Sequence, residues 1–142
     1  WGLGNVRMLR ADAAELFRRR IPDESLLRVH VYFPDPWPKL RHRKRRLIRP
    51  SFIAWVHRKL RLGGQLAMVT DYRDYAWQMA WVIDRQPGFL PVPLPRAYGA
   101  DGEELVGTNF ERKYRVEGRD FHRLAVMKWS RQAPAVSKKI YL

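Results

Sequence analysis

The stretch that decides the fold is Val29-His-Val-Tyr-Phe-Pro-Asp-Pro-Trp-Pro-Lys39, and it runs directly into the basic segment Leu40-Arg-His-Arg-Lys-Arg-Arg-Leu-Ile-Arg49. Its β-branched and aromatic start, which stops at Pro34, predicts a short buried strand over 26–33. Pro34 and Pro36 fix their own φ and favour an extended conformation in the residue before each of them. The sequence therefore predicts that Asp35 lies on a stiff loop at the carboxyl end of a strand, where open α/β sheets bind their ligands.

The composition predicts a single packed domain with an anionic partner. The chain has 142 residues, of which 46% are hydrophobic, and a formal net charge of +14. A nucleic acid is the simplest partner for such a charge, because neutralising phosphates releases counterions. An anionic membrane surface is the alternative, but it favours a basic amphipathic helix, and the basic segment has no wide apolar face.

Several classes of site and location are excluded or disfavoured. The chain has no cysteine, which excludes disulfides and cysteine-based zinc sites and fits a reducing cytoplasm. Its four histidines lack metal-ligand spacing, and no Ser/His/Asp set for hydrolysis is evident. No apolar run reaches membrane-spanning length. We therefore expect a cytoplasmic location with neither a membrane nor a metal as partner.

Strands and helices are predicted to alternate along the chain. The helices expected are 13–19, one with Ser51 as its N-cap that ends at Gly63-Gly64, and 74–86; the strands expected are 6–10, 26–33, 65–70 and 121–129, with an extended segment at 89–95. This alternation predicts a parallel-dominated α/β sheet with crossover helices. The last two extended segments are expected to form an antiparallel pair at its edge.

Acidic residues follow three of the predicted strands: Asp12, Asp35 and Asp71. Parallel strands would bring these acids to one edge of the sheet. Asp12 is equally well explained as a helix N-cap, and Asp71 as the cap of a turn. Trp37 is suited either to stacking on a nucleobase or to packing within its own loop.

The basic segment points to a polyanion rather than to an ordinary solvated surface. Between Pro36 and Thr70 there are ten Lys or Arg and no acid. A surface that serves stability alone would intersperse the two signs of charge. Without any other consideration, a non-catalytic RNA- or DNA-binding module that uses this segment alone would explain the charge.

Three motifs occur in order: Phe33-Pro-Asp-Pro-Trp-Pro-Lys39 with Arg41-His-Arg-Lys-Arg-Arg46, then Thr70-Asp71, then Thr108-Asn-Phe-Glu-Arg112. Together they resemble the bacterial tRNA (guanine-N7-)-methyltransferase family. The resemblance implies a Rossmann-like, class I methyltransferase sheet with helices on both faces. It also implies transfer of a methyl group from S-adenosylmethionine to N7 of a variable-loop guanine in tRNA, by a monomer or a homodimer.

The resemblance also implies roles for individual residues. Asp35 would be catalytic and close to the cofactor, and Asp12 would contact the adenine side of the cofactor. The substrate would be held by Lys39, Asp71, Thr108, Phe110 and Glu111, and the RNA would be contacted by Arg41, His42, Arg43, Lys44, Arg45 and Arg46. The glycine-rich cofactor loop and the ribose-binding acid of the family would belong to two strands that precede Trp1. We therefore expect residues 1–142 to be the C-terminal portion of a methyltransferase domain that binds S-adenosylmethionine poorly by itself.

Overall fold

The computed structural model describes residues 4–94 and 106–130. These residues form the α/β fold expected from the sequence, with four strands in one sheet. In chain order the elements are α1 (Ala13–Arg19), β1 (Leu26–Tyr32), a 3-10 helix (Leu40–Arg45), α2 (Pro50–Lys59), β2 (Leu60–Thr70), α3 (Arg73–Asp84), β3 (Phe89–Pro91), α4 (Asn109–Val116) and β4 (His122–Lys128).

The sheet has the strand order β1-β2-β4-β3. β1 and β2 pair in parallel, and β4 pairs antiparallel with both β2 and β3. Three described strands therefore run in one direction, as crossover helices predict, but β4 lies between two of them and opposes both. The predicted antiparallel pair at the sheet edge is confirmed as β3 with β4. The carboxyl ends of β1 and β2 lie side by side, since Tyr32 is the register partner of Val69.

A predicted strand and the predicted start of α2 were wrong. Residues 6–10 are exposed and form no strand, because a strand needs a pairing partner and no described strand pairs with them. α2 begins at Pro50 with Arg49 as its N-cap, and Pro50 provides a φ that suits the first helical position.

The glycine pair Gly63-Gly64 lies inside β2 and does not end α2, contrary to expectation. A Cβ at Gly64 would lie 2.9 Å from the carbonyl oxygen of Arg61 and 3.1 Å from that of Leu26. The register of β1 against β2 shifts at this place, between Leu26 and Arg28. Gly64 therefore permits a close approach of two strands at a bulge, which is a recognised use of glycine within strands, and Gly63 adopts a positive φ of +78°.

One hydrophobic core joins α2 and α3 to one face of the sheet. The buried side chains in this core include Phe52, Ile53, Val56, Tyr75, Met79, Val82 and Ile83 from the helices and Val29, Leu66, Met68 and Val126 from the sheet. α1 docks on α2 through an edge-to-face contact of Phe17 with Phe52 at 5.2 Å. This core fixes the strands whose carboxyl ends carry the candidate site.

His57 makes the stability of this core depend on pH. Its Nε2 lies 3.1 Å from the carbonyl oxygen of Ser130, and its ring packs edge-to-face on Phe89. Burial lowers the pKa of His57, and the charge of Lys128 adds to this effect. The unfolded chain protonates this histidine near its ordinary pKa of about 6.5, so the unfolded state binds more protons as the pH falls. The contribution of neutral His57 to stability is therefore complete above that pH. It is lost as the pH falls towards the lower pKa that His57 has in the folded state.

We expect the free energy of unfolding, measured by urea denaturation, to decline from about pH 7 to about pH 5. His57→Gln should weaken this decline without removing it, because burial also lowers the pKa of His30. Identical pH profiles for the two proteins would contradict the assignment to His57.

Candidate functional site

The loop that carries Asp35 has a strained backbone. Phe33 has φ +50° and Trp37 has φ +42°, a region that bulky side chains rarely adopt, and each of them precedes a proline. The prediction of an extended conformation is therefore wrong at Phe33. The N–H of Phe33 donates a hydrogen bond to the carbonyl oxygen of Val69 at 2.8 Å. Such residues cost about 1–3 kcal/mol each and cluster at ligand sites.

Asp35 lies at the centre of this strained loop and is exposed. None of the hydrogen bonds and ion pairs found within residues 4–94 and 106–130 involves its carboxylate. This is unusual beside a segment with seven Lys or Arg between residues 39 and 49. A carboxylate held on a rigid loop without a partner there is available to a cationic or hydrogen-donating ligand.

An aromatic cluster brings α4 to the same edge of the sheet. The ring of Phe33 lies 5.6 Å from that of Tyr114, 5.8 Å from Phe121 and 6.3 Å from Phe110. Phe110 keeps 58% of its surface exposed. The Asp35 loop and the Thr108–Glu111 motif, which are far apart in sequence, are thus neighbours in the fold.

Asp71 directly follows β2 and joins this edge through an ion pair. Its Oδ2 accepts a hydrogen bond from Arg119 Nη1 at 2.6 Å, and the guanidinium of Arg119 lies 4.1 Å from the ring centre of Tyr114. This hydrogen bond, donated to Asp71, raises the pKa of Arg119. The turn after β2 is capped by the hydroxyl of Thr70, which accepts from the N–H of Tyr72 at 3.2 Å. The turn-cap explanation of Asp71 is therefore replaced by its pairing with Arg119.

Glu111 was expected to hold substrate; the structure shows it buried and bonded within the protein, and the substrate role stays a prediction. Its side chain is 1% exposed, and its Oε2 accepts from the N–H groups of Val106 at 2.9 Å and Gly107 at 3.0 Å. Its Oε1 accepts from Arg115 at 3.0 Å. Thr108 is the N-cap of α4, and its hydroxyl accepts from the N–H of Glu111 at 3.1 Å. The pair is a variant of the capping box, a pattern visible in the sequence as Thr-x-x-Glu.

Glu111→Ala should lower the free energy of unfolding by about 3 kcal/mol, because it removes the acceptor of two backbone N–H groups and the ion pair with Arg115. Urea denaturation followed by circular dichroism measures this change, and Phe110→Ala, at the exposed neighbouring position, is the control with a loss below about 1 kcal/mol. An alanine variant of normal stability that no longer binds substrate would show that Glu111 serves the substrate and not the fold.

The basic segment divides into exposed and engaged side chains. Lys39, Arg41, Lys44 and Arg45 are exposed around the 3-10 helix. Arg43 pairs with Asp74 of α3 at 3.0 Å. Trp37 packs against Arg45, whose guanidinium lies 5.0 Å from the ring centre, and against the ring of His42 at 5.8 Å. These contacts favour loop packing over base stacking for Trp37.

Arg46 was expected to contact RNA; the structure shows it buried among protein acceptors, and the contact with RNA stays a prediction. Its side chain is 1% exposed. Its guanidinium donates to the carbonyl oxygen of Pro36 at 2.7 Å, to Gln78 Oε1 at 2.7 Å and to Asp74 Oδ2 at 2.6 Å. A guanidinium that is buried and bonded to three protein acceptors fits a role within the fold better than a contact with a phosphate. Sequence reasoning missed this because a run of arginines does not reveal which of them points inward.

Asp12 is the N-cap of α1, which was the alternative to a ligand role in the sequence analysis. Its Oδ1 accepts from the N–H of Glu15 at 3.1 Å, and the residue is exposed. Because residues 6–10 form no strand, Asp12 does not stand at a strand end, and no described contact brings it to Asp35. A role for Asp12 towards a cofactor stays a prediction.

Within residues 4–94 and 106–130, no three His, Asp or Glu side chains are grouped so that they would hold a metal ion. Among the helices of the same residues, none is long and apolar enough to cross a membrane.

The chain is similar to known methyltransferases. Residues 2–124 match the model of a family described as "Putative methyltransferase". The chain is 47% identical over 111 residues to a tRNA (guanine-N(7)-)-methyltransferase of Alkalilimnicola ehrlichii, covering 78% of this chain and 46% of the relative. It is 45% identical over 112 residues to the protein of the same name from Alcanivorax borkumensis, covering 79% and 47%. The chain thus spans about half the length of the curated relatives it matches.

Among solved structures, a SAM-dependent O-methyltransferase from Thermotoga maritima aligns with 79% of this chain and 37% of that chain, at 14% identity and a TM-score of 0.41. This likeness is too weak to support a conclusion about fold or function.

Proposed function

Because the chain belongs to the methyltransferase family whose model matches residues 2–124, we propose that it is the C-terminal portion of an S-adenosylmethionine-dependent tRNA (guanine-N7-)-methyltransferase. The reaction would methylate N7 of a variable-loop guanine in tRNA, in the cytoplasm. The observation that carries the proposal is the carboxylate of Asp35, which has no partner among the described residues and lies on a strained loop next to an exposed basic helix. The names of the relatives at 47% and 45% identity support the choice of substrate.

The residues present fit S-adenosylmethionine in part. The cofactor, when bound, supplies the methyl group from a sulfonium cation. Asp35 fits by its chemistry, because an unpaired carboxylate is suited to a cationic ligand or to one with N–H and O–H donors. Asp12 would contact the cofactor only through the carboxylate oxygen that does not cap α1.

The mechanism follows from the chemistry of the guanine. N7 carries a lone pair and no proton, so the reaction needs no general base to create the nucleophile. The purine gains a positive charge as the methyl group arrives. Asp35 stabilises that developing charge, so catalysis rests on electrostatics and positioning.

The remaining residues bind the RNA around that base. N7 lies in the deep and narrow major groove of A-form RNA, so the guanine must be unstacked before it enters the site. The exposed ring of Phe110, next to Phe33, offers a surface on which the extruded base stacks. Lys39 contacts the nucleotide, and the exposed cations of the 3-10 helix contact the backbone. Asp71 takes part through the carboxylate oxygen that Arg119 leaves unused.

The test is methyl transfer from labelled S-adenosylmethionine to bulk tRNA by the full-length protein that contains this chain. We expect tRNA to become labelled, and DNA of equal charge to remain unlabelled. A protein that binds tRNA tightly but transfers no label would instead be a non-catalytic RNA-binding module.

A further inference from the structure

The buried guanidinium of Arg46 joins the Asp35 loop to helix α3. One acceptor, the Pro36 carbonyl, lies in the Asp35 loop, and two acceptors, Asp74 and Gln78, lie on α3. The guanidinium also lies 4.8 Å from the ring centre of Tyr75 and 6.0 Å from that of Tyr72. Only the planar fork of an arginine serves three divergent acceptors while stacking on rings, so lysine is not equivalent here.

The anchor on α3 is itself held firmly. Gln78 Nε2 donates to the carbonyl oxygen of Ile48 at 2.8 Å, and the hydroxyl of Tyr75 accepts from the N–H of Ile48 at 2.9 Å. Asp74 binds Arg43 with its other oxygen at 3.0 Å. Tyr75 and Ile48 are fully buried. Arg46 therefore bonds the loop to a part of α3 that is packed into the core.

The loop needs such an external bond. Phe33 and Trp37, on either side of Asp35, have positive φ, and a strained backbone persists only where its surroundings hold it. Pro36 has no N–H to donate, so its carbonyl is the polar backbone group by which this residue can be held. The Asp35 carboxylate has no described partner of its own, so its position depends on the backbone on either side.

We propose that Arg46 is a positioning residue: by holding the Pro36 carbonyl against α3, it fixes Asp35 where the developing charge of the substrate arises. The inference rests on the proposed methyltransferase function and adds a residue to it that never touches substrate. Displacing a reacting group by about 1 Å costs on the order of 10²-fold in rate. Loss of the hydrogen bonds of Arg46 should therefore lower kcat and leave tRNA affinity nearly unchanged.

The test compares Arg46→Lys and Arg46→Ala in the full-length protein with Arg61→Ala, which removes an equal charge from an exposed position on β2. We expect kcat to fall by about 10²-fold in Arg46→Ala and by a similar factor in Arg46→Lys, with the Kd for tRNA within about threefold of the parent. Asp74→Asn keeps an acceptor for Arg46 and should lose less activity. Arg61→Ala should keep the parent kcat.

Chemical rescue separates positioning from folding. A few millimolar guanidinium should fill the site left by Arg46→Ala and restore part of its kcat, but it should restore nothing in Asp35→Asn. Arg46 variants that keep the parent kcat and only melt at a lower temperature would overturn the inference. Variants that lose tRNA affinity in proportion to kcat would also overturn it. A parent protein without methyl transfer would remove the proposed function itself, which distinguishes the two failures.

Discussion

Asp35→Asn in the full-length protein is expected to lower kcat by about 10²–10³-fold while the Kd for tRNA changes by less than about threefold. Asparagine keeps the size of the side chain but removes the negative charge that stabilises the methylated purine. The loop geometry should survive, because its described bonds run through Phe33, Pro36 and Trp37 and not through the Asp35 carboxylate. Single-turnover kinetics together with filter binding separate the two quantities.

Asp84→Asn is the matched control for this experiment. Asp84 lies at the last position of α3, at the other end of the helix from Asp74, and its replacement removes an equal charge. We expect it to keep both kcat and tRNA affinity. If Asp35→Asn lowered binding and turnover by the same factor, Asp35 would be a binding residue and the division of roles along this segment would be wrong.

Replacing Arg41, Lys44 and Arg45 together with glutamine is expected to weaken tRNA binding by about 10- to 100-fold at moderate salt and to flatten its salt dependence. Each lost phosphate contact should reduce the slope of log Kobs against log salt by about 0.7–0.9, so the slope should change by about 2 to 3. Arg43 and Arg46 are kept, because both pair with Asp74 and their loss would disturb the fold.

The control removes three exposed arginines from elsewhere on the surface, Arg10, Arg20 and Arg61. Both triple variants have the same net charge, so a general electrostatic attraction would weaken equally in the two. A larger loss in the first variant locates the RNA on the 3-10 helix. Equal losses, or an unchanged slope in the first variant, would show that this helix is ordinary solvated surface.

The sequence correctly predicted the strands and helices that position the candidate site. Regular patterns of apolar residues placed β1, β2 and the helix faces, and the parallel pairing of β1 with β2 brings the loop of Asp35 beside the end of the strand that leads to Asp71. Two prolines predicted a stiff loop around Asp35. These features depend on local sequence and on one general rule of sheet topology, so they can be read without coordinates.

The failures depend on contacts between distant residues. Arg46 stands in a run of similar arginines, and its inward orientation is set by Asp74 and Gln78, which lie 28 and 32 residues away. The positive φ of Phe33 overrides the local preference before a proline, because the hydrogen bond to Val69 and the aromatic cluster hold it there. Glu111 could have been recognised, since Thr-x-x-Glu is a capping pattern.

The most direct test of the central claim identifies the methylated atom. Methylation at N7 puts a positive charge on the purine, so borohydride reduction followed by aniline cuts the RNA chain at 7-methylguanosine. After incubation of unmodified tRNA with the full-length protein and S-adenosylmethionine, we expect one new cut, at a guanine of the variable loop, and no such cut with Asp35→Asn. Incorporation of the methyl group without cleavage, or cleavage at an unrelated guanine, would contradict the account.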